Sequence, residues 1–322
     1  MSDAVASQSS VQTQQKIAVT PSLQPMRRVC FLEFVEFARE REYIEIDGKR
    51  MPLRVCPSEK LEPEEFTLEN TTVWSFPKRG EWATHKYNAG FRGNWAPQVA
   101  RNLILLYSNP GDTVLDPFMG SGTTIIECKL LKRRCIGVDI NYEAVMLAWS
   151  RLNFIIDGES PEDRVELYVG DARNLNEIED SSVDLIATHP PYAGIIRYSS
   201  ARIPGDLSET RSFNEFASEM RAVAREFMRV LKPGGHVAIM MGDTRRRRFL
   251  VPLSYRVLEA FLSEGFALRE HIIKVQHNMQ GTRKWIKRND GFLLIAHEHI
   301  FVFRKLASES EKKVYKHSMK WY

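Results

Sequence analysis

The sequence predicts an α/β fold with a doubly wound, mostly parallel sheet, and three observations support that prediction. From about residue 97 onward, short apolar runs alternate with longer amphipathic stretches. Such alternation is typical of parallel strands joined by helices that cover both faces of a sheet. The last two apolar runs follow each other without a helical stretch between them, which predicts one antiparallel strand at the edge. At 322 residues, the chain is long enough to bury a core of this kind.

Seven strands and five helices are predicted in order along this region. Apolar runs bounded by glycine, proline or aspartate predict the strands, which are "TVLDPF", "RCIGVDI", "VELYVGD", "VDLIATHPP", "HVAIMMGD", "LREHIIKVQ" and "EHIFVFRK". Apolar residues spaced three and four apart predict the helices, which are "PQVARNLILLYS", "GSGTTIIECKLLKR", "YEAVMLAWSRLNFII", "FNEFASEMRAVAREFMRVL" and "LSYRVLEAFLSEG". The stretch "KPGG" predicts a turn between the fourth helix and the fifth strand.

The regions outside this pattern differ from it in composition. Residues 1–27 are rich in Ser, Gln, Thr and Ala, which predicts a disordered leader. Residues 28–84 mix short apolar and aromatic pieces and are predicted to form an N-terminal accessory segment. The α/β domain is expected over residues 85–306, and residues 307–322 form a basic C-terminal tail.

Composition narrows the classes of partner. The net charge of +4 and the pI of about 8.8 favour polyanionic partners only mildly. The four cysteines are scattered without a CxxC pair, so no metal site is expected. No apolar run approaches the roughly 18 residues of a membrane span. The N-terminus lacks the basic and apolar blocks of a signal peptide, so the expected location is cytoplasmic, without a membrane partner.

The stretch "VLDPFMGSGTT" (residues 114–124) is typical of a strand, a turn and a helix start. Gly120 and Gly122 would let the backbone pass close beneath a ligand, and the helix N-terminus would offer free N–H groups. The glycines lack the GxGxxG spacing of a dinucleotide site, and the Lys of a P-loop is missing. Asp116 is a poor neighbour for a pyrophosphate and a good one for an ammonium group. The chemistry favours a zwitterionic, nucleoside-bearing ligand.

Two further acids follow the next two predicted strands. Asp139 ends "GVD", where a carboxylate can accept from both ribose hydroxyls, and Asp171 in "VGDAR" is within reach of an adenine amino group. One such acid alone is more often a turn or helix cap. Three acids at the carboxyl ends of successive strands predict a ligand site, since open α/β sheets bind ligands at that edge.

Together, "DPFMGSGTT", "GVDIN", "GDA", "HPPY" and the late "HEHIFVFRK" resemble the motifs of amino-group DNA methyltransferases of the N4-cytosine and N6-adenine type. The likeness covers roughly residues 70–305. It implies a Rossmann-like methyltransferase fold with a seven-stranded sheet, and S-adenosylmethionine as cofactor. The segment "HKYNAGFRGNWAPQVARNLI" resembles the one that closes over the cofactor in this family. The cofactor-binding residues implied by the resemblance are Asp116, Phe118, Gly120, Gly122, Thr123, Asp139, Asp171 and, more weakly, Asn94 and Trp95.

The stretch "LIATHPPYAGIIRYSS" (residues 185–200) predicts a strand that ends in a rigid corner, because two prolines fix the backbone outside the ladder. We expect this corner to be catalytic. The Pro190 carbonyl would accept an amino proton of the base, and Tyr192 would stack on a flipped base. The family usually has Asp, Asn or Ser before the prolines, and here the residue is His189, which either accepts an amino proton or bonds to a backbone carbonyl. Without an Asp, cytosine N4 is the expected target and adenine N6 the alternative. The predicted catalytic residues are His189, Pro190, Pro191 and Tyr192.

Basic residues after the fifth strand and between the last two strands are candidates for nucleic-acid contact. They are Arg245, Arg246, Arg283, Lys284, Trp285 and Lys287, the first two in the run "RRRR", which could also be a solvated face. The resemblance implies double-stranded DNA as partner and, in a restriction-modification system, a cognate restriction endonuclease. An RNA methyltransferase acting on tRNA guanine is one alternative. A non-enzymatic protein that binds S-adenosylmethionine and nucleic acid is another, and the glycine spacing disfavours a nicotinamide oxidoreductase.

Overall fold

The computed structural model describes residues 23, 25–46, 48–53, 60–82, 91, 93–193, 203–277 and 291–319. Most of the predicted leader therefore lies outside the described residues. The strands are β1 (Arg27–Val29), β2 (Tyr43–Ile46), β3 (Lys49–Pro52), β4 (Val73–Ser75), β5 (Thr113–Asp116), β6 (Arg134–Asp139), β7 (Val165–Val169), β8 (Val183–Thr188), β9 (Leu231–Met241), β10 (Thr244–Arg246), β11 (Phe249–Val251), β12 (Ala267–Val275) and β13 (His297–Arg304). The α-helices are α1 (Phe31–Arg39), α2 (Pro97–Tyr107), α3 (Thr123–Leu130), α4 (Tyr142–Leu152), α5 (Phe213–Val230), α6 (Leu253–Ser263) and α7 (Glu309–Val314).

One sheet carries the fold, with the strand order β1-β7-β6-β5-β8-β9-β13-β12-β4. Strands β5 to β9 run parallel to one another, so their carboxyl ends meet at one edge. The order reverses between β5 and β8, and such a switch point opens a crevice at that edge. This topology confirms the predicted α/β class and its mostly parallel sheet.

Two details of the predicted sheet are wrong. Two strands run against the parallel set: β1 pairs antiparallel with β7 at one edge, whereas β13, from the predicted final pair, lies inside the sheet between β9 and β12. The late hairpin folds back so that its second strand enters beside β9, where Phe301 and Phe303 are buried. The described part of the sheet also has nine strands instead of seven, because β1 and β4 add one strand at each edge.

Apolar alternation along the strands divides the core into two layers, as a doubly wound sheet requires. Leu185 and Ala187 of β8 pack in the layer formed with α2, α3 and α4. Ile186 of the same strand packs in the opposite layer with α5 and α6. All five predicted helices are present, and the N-cap of α5 is Ser212, whose side chain accepts from the backbone N–H of Glu215.

The predicted "KPGG" turn is instead part of β9, which already begins at Leu231. Gly234 has a φ of +86°, and the pairing of β8 with β9 shifts register between Val183 and Leu185. The glycine therefore lies in a bulge within the strand, and its backbone N–H donates to the Lys305 carbonyl at 2.7 Å. In the described part of the chain, no helix is both long enough and apolar enough to cross a bilayer.

Candidate active site

A cleft opens where the carboxyl ends of β5, β6, β7 and β8 meet. Eight of the nine predicted cofactor residues line it, together with His189 and Pro191 of the proline corner. The ninth, Gly122, lies beneath the cleft, where its backbone faces Ala148 of α4. The sequence-predicted acids and the proline corner thus share one cavity. The residues in that set of eight are Asn94, Trp95, Asp116, Phe118, Gly120, Thr123, Asp139 and Asp171.

Asp116 ends β5 and is only 3% exposed. Its carboxylate accepts from the backbone N–H of Phe118 at 3.1 Å, from the Thr124 hydroxyl at 2.5 Å and from the Thr188 hydroxyl at 2.6 Å. Burial raises the pKa of Asp116 to about 6, against the opposing effect of these hydrogen bonds. The side chain ties the glycine turn to the end of β8, where the proline corner begins.

The glycine turn needs its glycines for two different reasons. Gly120 and Gly122 have φ values of +52° and +88°, which disfavour residues with a side chain. A Cβ on Gly120 would also lie 2.8 Å from the Phe91 ring, at the cleft wall. The turn therefore brings bare backbone to the cavity, as the sequence predicted.

Asp139 ends β6, and its carboxylate organises the neighbouring backbone. It accepts from the N–H of Gly120 at 2.9 Å and from the N–H of Asn141 at 2.8 Å. Burial raises the pKa of Asp139 to about 7, and the negative charges of Asp206 and Asp116 raise it further. Both carboxylate oxygens keep lone pairs that could accept from ligand hydroxyls.

Asp171 is already engaged in an ion pair. Arg173 donates through Nε to one of its oxygens at 2.9 Å and through Nη2 to the other at 2.5 Å. The same guanidinium also reaches Glu219 at 2.6 Å and the Gly205 carbonyl at 2.7 Å. Less of the Asp171 carboxylate is thus open to a ligand than the sequence suggested.

The residues of the proline corner differ in whether they line the cleft. His189 and Pro191 line the cleft, whereas Pro190 is buried. The His189 ring stacks on Trp95 with a centroid distance of 6.1 Å and an angle of 27°. Tyr192 is half-buried, and a Cβ on Gly242 would lie 2.9 Å from its ring. One side of that ring is therefore closed off by the backbone at the end of β9.

A hydrogen-bonded chain runs from the corner into the sheet. Nε2 of His189 lies 2.8 Å from the Tyr192 hydroxyl, which donates to Glu298 at 2.9 Å. Lys274 donates to the other oxygen of Glu298 at 3.0 Å. Burial opposes ionisation of Glu298, but Lys274 outweighs it and lowers the pKa of that carboxyl to about 2.

The hydrogen bonds of this network determine which ring nitrogen of His189 carries the proton. The ionised Glu298 can only accept, so the Tyr192 hydroxyl donates to it and the tyrosine oxygen accepts from Nε2–H of His189. Burial lowers the pKa of His189 to about 4, so the ring is neutral and Nδ1 carries a lone pair. Nδ1 is buried and makes no hydrogen bond of ordinary geometry with any described residue, and the Gly93 backbone interacts with the ring in the direction that raises its pKa.

Several residues of the site could not be found from their own local sequence. Glu298 and Lys274 lie on neighbouring strands and reach the corner only through the pairing of β12 with β13. Gly205 and Asp206 line the same cleft as Asp139. Arg79 donates to the Trp95 carbonyl at 2.5 Å and holds that segment.

Of the six candidate nucleic-acid residues, two lie in the described part of the chain and four lie outside it. Arg245 and Arg246 lie on β10, and Arg245 donates to the Leu293 carbonyl at 3.0 Å. The remaining four lie outside the described residues: Arg283, Lys284, Trp285 and Lys287. Among the described residues, no group of three or more His, Cys, Asp or Glu side chains is arranged to hold a metal ion.

Comparison with known proteins places these features in a family. The profile of the N6/N4 family described as DNA methylase matches residues 31–149 and 183–321. A second profile, described as the methyltransferase domain of RMKL-like proteins, matches residues 92–248. The family profile thus covers Asp116, Asp139 and the proline corner, whereas Asp171 lies between its two matched segments.

Individual relatives are more distant. The chain is 27% identical over 174 residues to the Type II methyltransferase M.MthZI of Methanothermobacter thermautotrophicus, covering 47% of this chain and 49% of that protein. It is 30% identical over 194 residues to a tRNA (guanine(10)-N2)-dimethyltransferase of the same species, covering 60% and 48%. A SAM-dependent methyltransferase structure from Methanosarcina mazei is 18% identical, with a TM-score of 0.44, and covers 64% of this chain and 97% of that one.

The chain spans about half the length of these two sequence relatives. The family profiles confirm the predicted family and, with it, S-adenosylmethionine as the cofactor. The family profile matches most of the length of this chain, which therefore belongs to the N6/N4 DNA methylase family.

Proposed function

We propose that this protein transfers a methyl group from S-adenosylmethionine to the exocyclic amino group of a flipped base in double-stranded DNA. The observation that carries the proposal is the shared cleft, in which Asp116 and Asp139 face the same cavity as His189 and Pro191. A ligand held by the acids would therefore lie beside the proline corner. As a member of a restriction-modification system, the protein would have a cognate restriction endonuclease as partner.

The residues of the acidic edge fit the cofactor. The bare backbone at Gly120 avoids the clash that a Cβ would make with the Phe91 ring at the cleft wall, and Asp139 offers acceptors for ribose hydroxyls. Asp116 with Phe118, Gly122 and Thr123 would surround the methionine part, Asp171 the adenine edge, and Asn94 with Trp95 the closing side. When bound, S-adenosylmethionine supplies a methyl group made electrophilic by its positively charged sulfur. The buried carboxylates favour a ligand that carries positive charge.

The proline corner would make the amino group of the base more nucleophilic. An exocyclic amino group is a weak nucleophile because its lone pair is delocalised into the ring, so accepting its protons makes the nitrogen more reactive. Nδ1 of His189 is one such acceptor, because Tyr192 and Glu298 keep the proton on the other ring nitrogen. The Pro190 carbonyl would be the second acceptor, and Pro191 would keep the corner rigid. The exposed side of the Tyr192 ring would stack on the base, a contact worth about 1–3 kcal/mol.

Cytosine N4 is the proposed target, with adenine N6 as the alternative. The support is the residue before the prolines, which is His189 where the adenine enzymes of the family usually have Asp. A neutral imidazole can accept one amino proton and carries no negative charge.

A tRNA guanine amino group is a second candidate substrate, favoured by the similarity to a tRNA (guanine(10)-N2)-dimethyltransferase. DNA is preferred here because the DNA methylase profile matches a larger part of the chain than the similarity to the tRNA enzyme covers. Both substrates present an exocyclic amino group to the same corner.

The experiment is a transfer assay with S-adenosylmethionine labelled in its methyl group. Unmethylated duplex DNA of diverse sequence and tRNA are offered separately, and the products are digested to nucleosides and identified by mass spectrometry. The expected result is label in DNA as N4-methylcytosine. N6-methyladenine would shift the assignment to the alternative base, and label in tRNA alone would overturn the DNA assignment.

A further inference from the structure

A two-stranded hairpin follows the end of β9 at the rim of the site. Strands β10 and β11 pair antiparallel, with Arg246 opposite Phe249, so that Arg247 and Arg248 form a two-residue turn. Both turn residues have positive φ, of 50° and 74°. This is the geometry of a type I′ turn, which strongly favours Asn-Gly. Two arginines at these positions are conformationally unfavourable, and such outliers are enriched at functional sites.

The two faces of this hairpin have different surroundings. Arg245 and Leu250 share one face, on which the Arg245 guanidinium donates to the Leu293 carbonyl at 3.0 Å and lies 5.2 Å from the centroid of the Phe292 ring. On the opposite face, the Phe249 ring is 80% exposed next to Arg246. One face therefore anchors the hairpin, and the other presents an aromatic ring and a cation to solvent.

The hairpin is attached directly to the proline corner. Gly242 contacts the Tyr192 ring and is followed by Asp243, whose side chain caps α6 by accepting from Ser254 at 2.9 Å and 2.7 Å. A second cleft separates the hairpin from the start of α5, and Ala193, which follows Tyr192, is in its wall. Arg211, Arg245 and Arg246 line this cleft, so it is positively charged.

The arginines at the tip are available for a partner. Within the described part of the chain, the side chains of Arg246, Arg247 and Arg248 make no hydrogen bond or ion pair, and all three are exposed. By contrast, Arg225 and Arg229 on α5 pair with acidic side chains. Free guanidinium groups beside a cleft suit phosphate oxygens, to which they can donate two hydrogen bonds each.

We infer that residues 244–251 grip the DNA strand beside the flipped base. Arg246, which lines the second cleft, and Arg247 and Arg248 at the hairpin turn bind backbone phosphates, and the Phe249 ring stacks on the base next to the one that is flipped. This inference rests on the proposed function, since it takes DNA as the partner. The inference goes beyond the proposed function because it assigns the whole hairpin, including its turn and its aromatic residue, to binding of the DNA strand.

The phosphate contacts are tested with the double substitution Arg247→Asn and Arg248→Gly. This change gives the turn the Asn-Gly sequence that its geometry favours, so the hairpin should persist while two cations are lost. Affinity for a fluorescent 30-base-pair duplex is measured by anisotropy over a range of salt concentrations. We expect unchanged or higher thermal stability, about tenfold weaker binding, and a salt slope reduced by about 2.

The matched control removes two cations at the amino-terminal end of β6, whereas the cleft lies at the carboxyl ends of the parallel strands. Lys132→Gly with Arg134→Asn changes a residue that also has positive φ, 62°, together with the exposed arginine at the start of β6. This variant should bind DNA like the unaltered protein. Equal losses in the two double variants would overturn the inference, because net charge alone would then explain them.

The aromatic contact is tested with Phe249→Ala, and Ile155→Ala serves as control because its side chain is 70% exposed after α4. The probe is the same duplex with one unpaired base, which exposes faces for stacking. We expect Phe249→Ala to weaken binding about 5- to 100-fold and the control to have no effect. If the unaltered protein methylates DNA but the hairpin variants bind as it does, the hairpin assignment is wrong and the proposed function stands. If the unaltered protein neither binds nor methylates DNA, both are wrong.

Discussion

Two carboxyl groups of the site, one lining the cleft and one behind the proline corner, have pKa values that are shifted in opposite directions. Asp139, on the cofactor side, has its pKa raised to about 7, whereas Glu298, behind the proline corner, has its pKa lowered to about 2. Burial acts in the same direction on both. The difference is Lys274, which lies 3.0 Å from Glu298, while Asp139 accepts only from backbone N–H groups among the described residues.

The contrast shows that the two sides of the site differ in whether their charged groups have partners within the described part of the protein. The corner is complete in the protein alone, because Lys274, Glu298 and Tyr192 satisfy one another and fix the proton on His189. The acidic edge is incomplete, because among the described residues neither Asp116 nor Asp139 accepts a hydrogen bond from a cation. A positively charged ligand would supply what the acidic edge lacks, and a neutral base would suit the corner.

The largest expected effect comes from removing the Glu298 carboxylate, which would test the contrast between the two sides of the site. In the substitution Glu298→Ala, Lys274 keeps a charge that is only 16% exposed and has lost its partner. Breaking a buried pair in this way costs about 3–5 kcal/mol, so the free energy of unfolding in urea should fall by that amount. Glu298→Gln, which keeps a hydrogen-bond acceptor, should lose less.

The control is the exposed pair between Lys312 and Glu309, whose side chains are 46% and 82% exposed. Glu309→Ala should change the free energy of unfolding by less than about 1 kcal/mol. A loss at Glu298 no larger than this would mean that the corner is not held by its ion pair.

The second test replaces Asp139 with Asn. The amide has roughly the same shape but cannot accept through both of its atoms, so hydrogen bonds to ligand hydroxyls are lost. We expect the affinity for S-adenosylmethionine, measured by isothermal titration calorimetry, to fall about 10- to 100-fold, since hydrogen bonds to a charged group contribute about 1.5–3 kcal/mol. Unchanged affinity would remove Asp139 from the binding site.

The third and smallest effect is a pH dependence of cofactor affinity. A positively charged ligand prefers ionised Asp139, whose pKa is about 7 in the free protein. Affinity should therefore rise about tenfold between pH 6 and pH 8 and then level off, because the proton must leave before the ligand binds. The Asp139→Asn variant should lose most of this dependence. A flat profile in the unaltered protein would show that the carboxyl is already ionised at pH 6.

The sequence was informative where function depends on one local segment. The glycine turn, the acids that end β5, β6 and β7, and the His189–Tyr192 corner each occupy a few consecutive residues, and the fold places them as predicted. The sequence was silent where distant strands cooperate. Glu298 meets Tyr192 across 106 positions, and β13 enters the sheet beside β9 through pairings that no local pattern encodes.

The most direct test of this division of labour measures cofactor binding and methyl transfer in two variants side by side. Tyr192→Ala should keep the affinity for S-adenosylmethionine within about twofold and reduce methyl transfer to DNA at saturating cofactor about 100-fold or more, because it loses both the ring and the group that orients His189. Asp139→Asn should show the reverse pattern, with weakened binding and largely restored transfer when cofactor is saturating. If both variants lose binding and transfer in the same proportion, the cleft does not have two separately prepared sides.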